Sequence, residues 1–261
     1  MTQATNMNTT IRYYDPQQLK CEFDRHGFVV IRGFLRGAEL NELQREIARY
    51  IARIPELPRT DVMYEDRDRP ESLKQLAHMK RNGAFFASLI ERPRWIGVAA
   101  ALVADKAVPQ ELEWFNKAPG YNFATPPHQD GFYFMLEPNE AATMWLALDP
   151  AAESNGCLRY VPGSHRRGLR PHARTNILGF SQGIADYGPE DAEGEQPIRA
   201  EPGDLLVHHA ATIHRADRND SGRQRRSLGL IYYAARARQD RRRLAEYQRN
   251  LNQELEAARK L

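Results

Sequence analysis

Cysteine is nearly absent from this chain: two residues, Cys21 and Cys157, among 261. Two distant cysteines make no disulfide framework and suit a reducing cytoplasm. Without a CxxC or a Cys/His cluster there is no pattern for a structural zinc site. Long apolar runs are missing too; none approaches the roughly 18 residues of a membrane span. The first ten residues are polar, with no apolar stretch of the kind that opens a signal peptide. Charge of one sign is also lacking. The formal net charge is only +3, which gives no reason to expect a nucleic-acid partner. No internal repeat and no low-complexity segment is found. What remains, 41% hydrophobic and 27% charged, is an ordinary globular composition long enough for one large core.

The chain falls into two styles. Up to about residue 107 the pattern is mainly helical. Pro16 to Arg25 reads as a short helix, and Ala38 to Ile54 is clearer, with Leu40, Leu43, Ile47 and Ile51 at three- and four-residue spacing. Ser72 to Leu89 and Trp95 to Val103 read as further helices, separated by Pro93. Gly27 to Phe34 is a β-branched and aromatic run bounded by glycines, hence a strand. Pro55 to Pro70, with three prolines and many charges, reads as a surface loop. From Val108 short apolar segments alternate with turn signals: Leu112–Asn116, Thr143–Leu148, Cys157–Val161, Asp204–His209 and Ser227–Tyr233. Turns such as Pro119-Gly120, Asn155-Gly156 and Pro162-Gly163 part these segments, which predicts a jelly-roll barrel. Residues 164–198 are polar and read as a long loop over a site. From Ala234 the chain reads as a charged helix with a stripe of Leu244, Tyr247, Leu251 and Leu255. That stripe packs on the barrel or, alternatively, forms a homodimer. The expected organisation is one domain over 1–261: a helical part over 1–107, a jelly-roll core over 108–233 and a C-terminal helix over 234–261.

Chemistry concentrates in Pro126-Pro127-His128-Gln129-Asp130. In a strand, His128 and Asp130 point to one face and supply two metal ligands. His214, 86 residues later and beyond the strand start Gly203-Asp204, supplies a third. His208 or His209 could take its place; in an unbroken strand His208 shares the face of His214 and His209 points away. Two imidazoles and one carboxylate leave three positions open on an octahedral ion, the arrangement of non-haem iron(II) oxygenases. A 2-oxo acid can chelate two of these positions and O₂ can take the third. Arg225, eleven residues after His214, is placed to hold the far carboxylate of that acid through its planar fork. Its neighbour Arg226 should face the other side of the strand. Lys117 reads as a turn lysine, His165 as structural, and His26, His78 and His172 as surface or packing residues. Among Phe132, Tyr133, Phe134 and Met135, alternation assigns half to the core.

These motifs together resemble the phytanoyl-CoA dioxygenase-like family. The resemblance runs through Gly27-Phe28-Val29-Val30-Ile31, Pro127-His128-Gln129-Asp130, Trp145-Leu146-Ala147-Leu148-Asp149, Asn155-Gly156-Cys157-Leu158, Pro162-Gly163-Ser164-His165, Gly203-Asp204, and His214 with Arg225. It implies a mainly β protein with flanking helices, a cupin-like double-stranded β-helix, and an iron(II)- and 2-oxoglutarate-dependent dioxygenase that uses O₂. It implies that His128, Asp130 and His214 bind iron and act in catalysis, that Arg225 holds 2-oxoglutarate, and that Trp145 and Lys74 help to line or reach that cosubstrate. Asp130 separates the chain from halogenating relatives, where a small residue frees a site for chloride. The expected role is hydroxylation of a small-molecule metabolite or natural-product intermediate in the cytoplasm, with no membrane and no nucleic-acid partner. The alternatives are an acyl-CoA 2-hydroxylase of the same family and a non-catalytic jelly-roll protein that binds a metal or ligand. No phosphate-binding cluster favours the acyl-CoA.

Overall fold

A computed structural model describes residues 10–11, 15–121, 124–177 and 180–257. Residues 1–15, which read from the sequence as a loose leader, lie almost wholly outside the described residues. Strand β1 (Thr10–Ile11) precedes helix α1 (Pro16–His26), capped at its start by Asp15, whose carboxylate accepts from Gln17 N at 3.0 Å. Strand β2 (Phe28–Ile31) and helix α2 (Gly37–Ala52) follow, then β3 (Val62–Tyr64), β4 (Leu73–Leu76) and helices α3 (Met79–Asn82), α4 (Ala84–Ile90) and α5 (Pro93–Val103). The barrel strands begin with β5 (Ala107–Lys117) and β6 (Thr125–His128), and a short helix α6 (Asp130–Phe134) comes next. After these come β7 (Leu136–Glu137), β8 (Ala141–Ala147), β9 (Leu158–Tyr160), β10 (His172–Ile177), β11 (Phe180–Ile184) and helix α7 (Pro189–Glu193). The chain closes with β12 (Gln196–Ile198), β13 (Leu205–His209), β14 (His214–Ala216), β15 (Arg225–Ala234), β16 (Arg238–Gln239) and helix α8 (Arg241–Ala257).

Two sheets make the jelly roll. The major sheet runs β1-β2-β13-β8-β15-β5-β4-β3 and the minor sheet β12-β9-β14-β6. The helices cover one face of the major sheet. Leu146, Leu228, Leu230 and Trp114 point from the strands into that layer and meet Leu19, Leu43, Trp95 and Leu102 from the helices. Alternate residues point into the barrel, where Phe28, Trp145, Tyr160 and Leu206 form a second cluster.

The architecture is the double-stranded β-helix with flanking helices expected above, but several local expectations fail. The stretch Ser72 to Leu89 is not one helix. Leu73–Leu76 pairs as a strand with β5, Gln75 opposite Phe115 and Leu76 opposite Trp114, and helix begins only at Met79. Edge pairing on the sheet overrides helical spacing here, and Gly83 then separates two short helices. The supposed loop Pro55–Pro70 holds β3, paired with β4. The supposed loop 164–198 holds the β10–β11 hairpin, α7 and β12. The C-terminal helix starts at Arg241 rather than Ala234, because β15 runs on to Ala234 and β16 follows. From its apolar stripe, Tyr247 packs on Tyr133 of the same chain at 6.3 Å and hydrogen-bonds Ser181.

Gly203-Asp204 is the corner that locks β2 to β13. Gly203 has φ +90°, and a Cβ there would sit 2.1 Å from the Leu35 carbonyl oxygen. The buried Asp204 carboxylate accepts from Gly33 N at 2.6 Å, Glu201 N at 2.9 Å and Arg32 Nη1 at 2.8 Å. Asp204→Ala strands those donors and should cost about 2–4 kcal/mol. The expected readout is a lower urea midpoint at unchanged slope.

Candidate metal centre

The first two ligand candidates do not share a strand. β6 stops at His128, and Asp130 opens α6. Between them Gln129 is still extended, with φ −128° and ψ 123°, so the alternation that aims both side chains to one side survives the turn. Phe132, Tyr133 and Phe134 consequently lie on a helical turn, and the strand alternation expected for them does not apply. The Gln129 side chain, fully buried, pins the corner. Its Nε2 donates to Ala211 O at 2.7 Å and Gly168 O at 2.9 Å, and its Oε1 accepts from Arg170 N at 2.8 Å.

His214 arrives on β14, which inserts between β6 and β9 with His214 directly opposite His128. The two rings lie 4.1 Å apart, centroid to centroid. Each Nδ1 is tied to the carbonyl two residues back, His128 to Pro126 O at 2.8 Å and His214 to Thr212 O at 3.0 Å. This fixes the tautomer and leaves each Nε2 lone pair facing inward. Asp130 Oδ1 lies 3.5 Å from His128 Nε2 and 3.6 Å from His214 Nε2. Among the described residues these three form the group able to hold a metal ion, their ligand atoms all within 4.8 Å of one another. A first-row divalent ion with bonds of ~2.1 Å sets neighbouring ligands ~3 Å apart. A small inward closure would therefore bring the three atoms onto such an ion, and the donor set suits iron(II).

The remaining carboxylate oxygen is held from behind. Thr143 donates to Asp130 Oδ2 at 2.6 Å, and His208 Nε2 donates to the same oxygen at 3.0 Å. His208 Nδ1 in turn accepts from Tyr160 OH at 3.0 Å, and the Tyr160 ring stacks on Phe28 at 4.4 Å. Burial alone would raise the Asp130 carboxyl, but His214, His128 and His208 outweigh it and hold the group well below the usual carboxylate range. Burial, with His128 and His208 adjacent, keeps His214 neutral well below an ordinary imidazole. One anion and neutral imidazole donors are the state a metal needs.

Two cavities meet at this triad. The first, ≈ 120 Å³ with an open mouth, is walled by Arg225, Trp145, Lys74, Lys117, Tyr121 and Ile177. The second, ≈ 240 Å³, lies on the other side of Phe115 and Gly229. Gly229 borders both, and a Cβ there would press on the Phe115 ring at 3.0 Å. Arg225 is 4% exposed and sits 5.4 Å over the Trp145 ring. Its Nη1 donates to Ser227 Oγ at 3.3 Å, its Nε has no partner, and no carboxylate pairs with it among the described residues. Burial pulls its guanidinium down to about 10, still cationic at neutral pH. A buried cation without an anion is costly, and a carboxylate-bearing ligand would relieve that cost. Lys74 borders the same cavity, with Nζ 2.7 Å from Glu65 Oε1. Arg226 faces outward and pairs with Asp149 through two nitrogens, both at 2.7 Å. Lys117, read above as a turn residue, instead lies opposite Arg225 on β5 and borders the cavity. Burial, with Arg225 beside it, lowers its ammonium well below the usual lysine range.

Three converging ligand side chains next to a buried guanidinium mark a class of protein: a non-haem iron(II)- and 2-oxoglutarate-dependent dioxygenase, an oxidoreductase that uses O₂ on a small-molecule substrate. The chain belongs to the phytanoyl-CoA dioxygenase (PhyH) family, whose sequence pattern matches residues 23–227. It is 34% identical to phytanoyl-CoA dioxygenase 1 of Oryza sativa subsp. japonica over 126 residues, 48% of this chain and 43% of the rice protein. It is 23% identical to phytanoyl-CoA dioxygenase domain-containing protein 1 of Mus musculus over 81% of this chain and 87% of the mouse protein. Its fold matches the epimerase SnoN, solved with Fe3+, alpha ketoglutarate and nogalamycin RO. That match has a TM-score of 0.69, 24% identity and coverage of 85% of this chain and 84% of that one.

Sequence reasoning singled out neither Thr143 nor Tyr160 nor Gln129. Thr143 had a signal: it lies two residues before Trp145 on one strand and so shares its face. Tyr160 and Gln129 had none, because their partners come from distant strands and turns. His172, read as surface or packing, stacks on Phe132 at 4.3 Å. His165 bonds Asp24 O at 3.1 Å, and the half-buried His78 pairs with Glu111 through Nδ1 at 2.8 Å.

His209, the discarded ligand alternative, faces away and accepts from Ala211 N through Nδ1 at 3.0 Å. Burial, aided by His165 and His208, brings its imidazole down to about 4 from the usual 6.5. The folded form therefore binds fewer protons than the unfolded chain between those values. Stability is intact above pH 6.5 and falls as pH drops toward about 4. His209→Asn retains an acceptor but cannot titrate, so chemical denaturation of the metal-free protein between pH 7 and 4.5 should show a loss smaller by ~2 kcal/mol than in the parent.

Proposed function

We propose that the protein hydroxylates an unactivated C–H group of a small-molecule metabolite or biosynthetic intermediate, with His128, Asp130 and His214 holding iron(II) and Arg225 seating 2-oxoglutarate. The observation that carries this reading is the buried guanidinium of Arg225, without a carboxylate partner among the described residues, in the cavity that ends at the three ligand atoms. When bound, iron(II) with 2-oxoglutarate and O₂ supplies oxidative chemistry in which the oxo acid leaves as succinate and CO₂ and the substrate C–H becomes C–OH.

The chain's own residues do the positioning. Arg225 pairs with the distal carboxylate and sets the depth at which the keto-acid end meets the triad. Trp145, beneath the guanidinium, keeps its fork in place and closes that wall to water. Lys74 borders the same cavity with its charge balanced by Glu65, so it shapes the wall while Arg225 supplies the uncompensated positive charge. His208 and Thr143 hold Asp130 Oδ2, so Oδ1 is the oxygen presented to the ion. Phe115 and Gly229 form the sill between the cosubstrate cavity and the second one, which is the place for the substrate. A cytoplasmic setting fits two free cysteines, one of them buried.

The test is release of succinate and CO₂ from 2-oxoglutarate by the protein loaded with Fe(II) under controlled O₂. His128→Ala and Asp130→Ala should each lower turnover at least 100-fold and weaken metal binding. Full turnover in both would overturn the assignment. Arg225→Ala should raise KM for 2-oxoglutarate at least tenfold with a smaller change in kcat, since the pairing acts on binding.

A further inference from the structure

The second cavity is built differently from the first. Glu113 projects into it from β5, and its Oε2 accepts from Gln75 Nε2 at 2.9 Å on the neighbouring strand. That bond orients the Gln75 amide, and its Oε1 is buried in the cavity wall with no hydrogen-bond partner, the residue being 6% exposed. An amide oxygen in that state is costly unless a ligand donates to it. No lysine or arginine pairs with Glu113 among the described residues, and the adjacent Glu111 is already engaged by His78 at 2.8 Å. Phe115, Tyr133, Phe134 and Ile231 add aromatic and apolar wall, and His128, Asp130 and Thr143 also line the cavity. The Tyr133 hydroxyl is occupied, donating to Gln182 O at 2.8 Å and accepting from Gln182 N at 3.2 Å, so Tyr133 contributes its ring.

We propose that this cavity is the substrate's anchor and that Glu113 and Gln75 recognise a protonated amine on it. Two acceptors side by side, one of them a carboxylate, ask for a donor with at least two N–H groups and a positive charge. Aromatic faces around them suit an ammonium, whose charge the ring quadrupoles attract. A carboxylate ligand lacks the N–H donors that the Gln75 amide oxygen and the Glu113 carboxyl can accept. Burial, opposed by the charge of nearby His78, pushes the Glu113 carboxyl up to about 7, and an arriving ammonium restores its charge. Asp130, His128 and Thr143 border the same cavity, so a substrate held by its amine presents a carbon farther along to the metal centre. The substrate class is therefore a small amine with an apolar body, and Glu113 and Gln75 are specificity-determining residues.

This inference deepens the oxygenase reading and rests on it, so two measurements are made on one sample. The full chain, loaded with Mn(II) in place of iron, is titrated by calorimetry first with 2-oxoglutarate. It is then titrated with each of three matched probes: phenethylamine, 2-phenylethanol and 3-phenylpropionate. The expected result is binding of phenethylamine at least tenfold tighter than the alcohol, with no binding of the carboxylate. Glu113→Gln should weaken phenethylamine at least tenfold, ~1.4 kcal/mol. Gln75→Met should weaken it severalfold, while both variants keep the 2-oxoglutarate isotherm of the parent. The amine proposal is overturned if the three probes bind alike, if none binds, or if Glu113→Gln leaves the amine within twofold. Loss of 2-oxoglutarate binding in the parent would instead strike the oxygenase reading.

Discussion

Everything at the metal centre depends on one register: β14 lying between β6 and β9 with His214 opposite His128. Strand side chains alternate, so a slip of one residue would send His214 to the outside of the barrel and bring Arg215 in. Arg215 is instead committed elsewhere, paired with Glu195 and Asp217. The register is thus held from both faces of the strand. Inside it brings two imidazoles within reach of one ion, and outside it is enforced by an ion-pair network around a partly buried guanidinium. The neighbouring fully buried Tyr160, opposite His214 on β9, ties the same strand pair to His208 and so to Asp130.

The inner wall of the barrel is graded along its strands. On β15 the interior positions pass from Arg225 through Ser227 and Gly229 to Ile231, and on β5 from Lys117 through Phe115 to Glu113. One end is cationic, the middle is narrow and aromatic, and the other end carries the Glu113 carboxyl with its Gln75 partner. The triad sits at the middle. A polarity gradient of this kind lets two ligands of opposite charge approach one ion from two sides without exchanging places. The small residue Gly229 keeps the middle passable, because a larger side chain would push on Phe115.

The helices matter less for chemistry than for rigidity. They bury one face of the major sheet, so the opposite face is held at fixed spacing where the ligands project. The hydrogen bonds behind Asp130 extend that rigidity to the carboxylate itself. Ligand atoms that already lie near their bonded separation need little reorganisation when an ion arrives.

Much of this was legible from residue order. Turn pairs and short apolar segments after Val108 specify a jelly roll, because period-two alternation and turn chemistry are local properties. His128, Asp130, His214 and Arg225 stood out as candidates from residue type and spacing, because metal and carboxylate chemistry admits few side chains. Tertiary structure alone decided the rest. Leu73–Leu76 became a strand because an open sheet edge on β5 was there to pair with. Lys117 turned from a turn residue into a cavity wall because β5 is longer than its apolar centre suggests. His208, Thr143 and Tyr160 became supports of one carboxylate because three strands distant in sequence converge there. The pairing of Gln75 with Glu113, on separate strands, has no trace in the linear chain. Contacts between strands far apart along the backbone are set by register and barrel closure, and neither is encoded in any window of neighbouring residues.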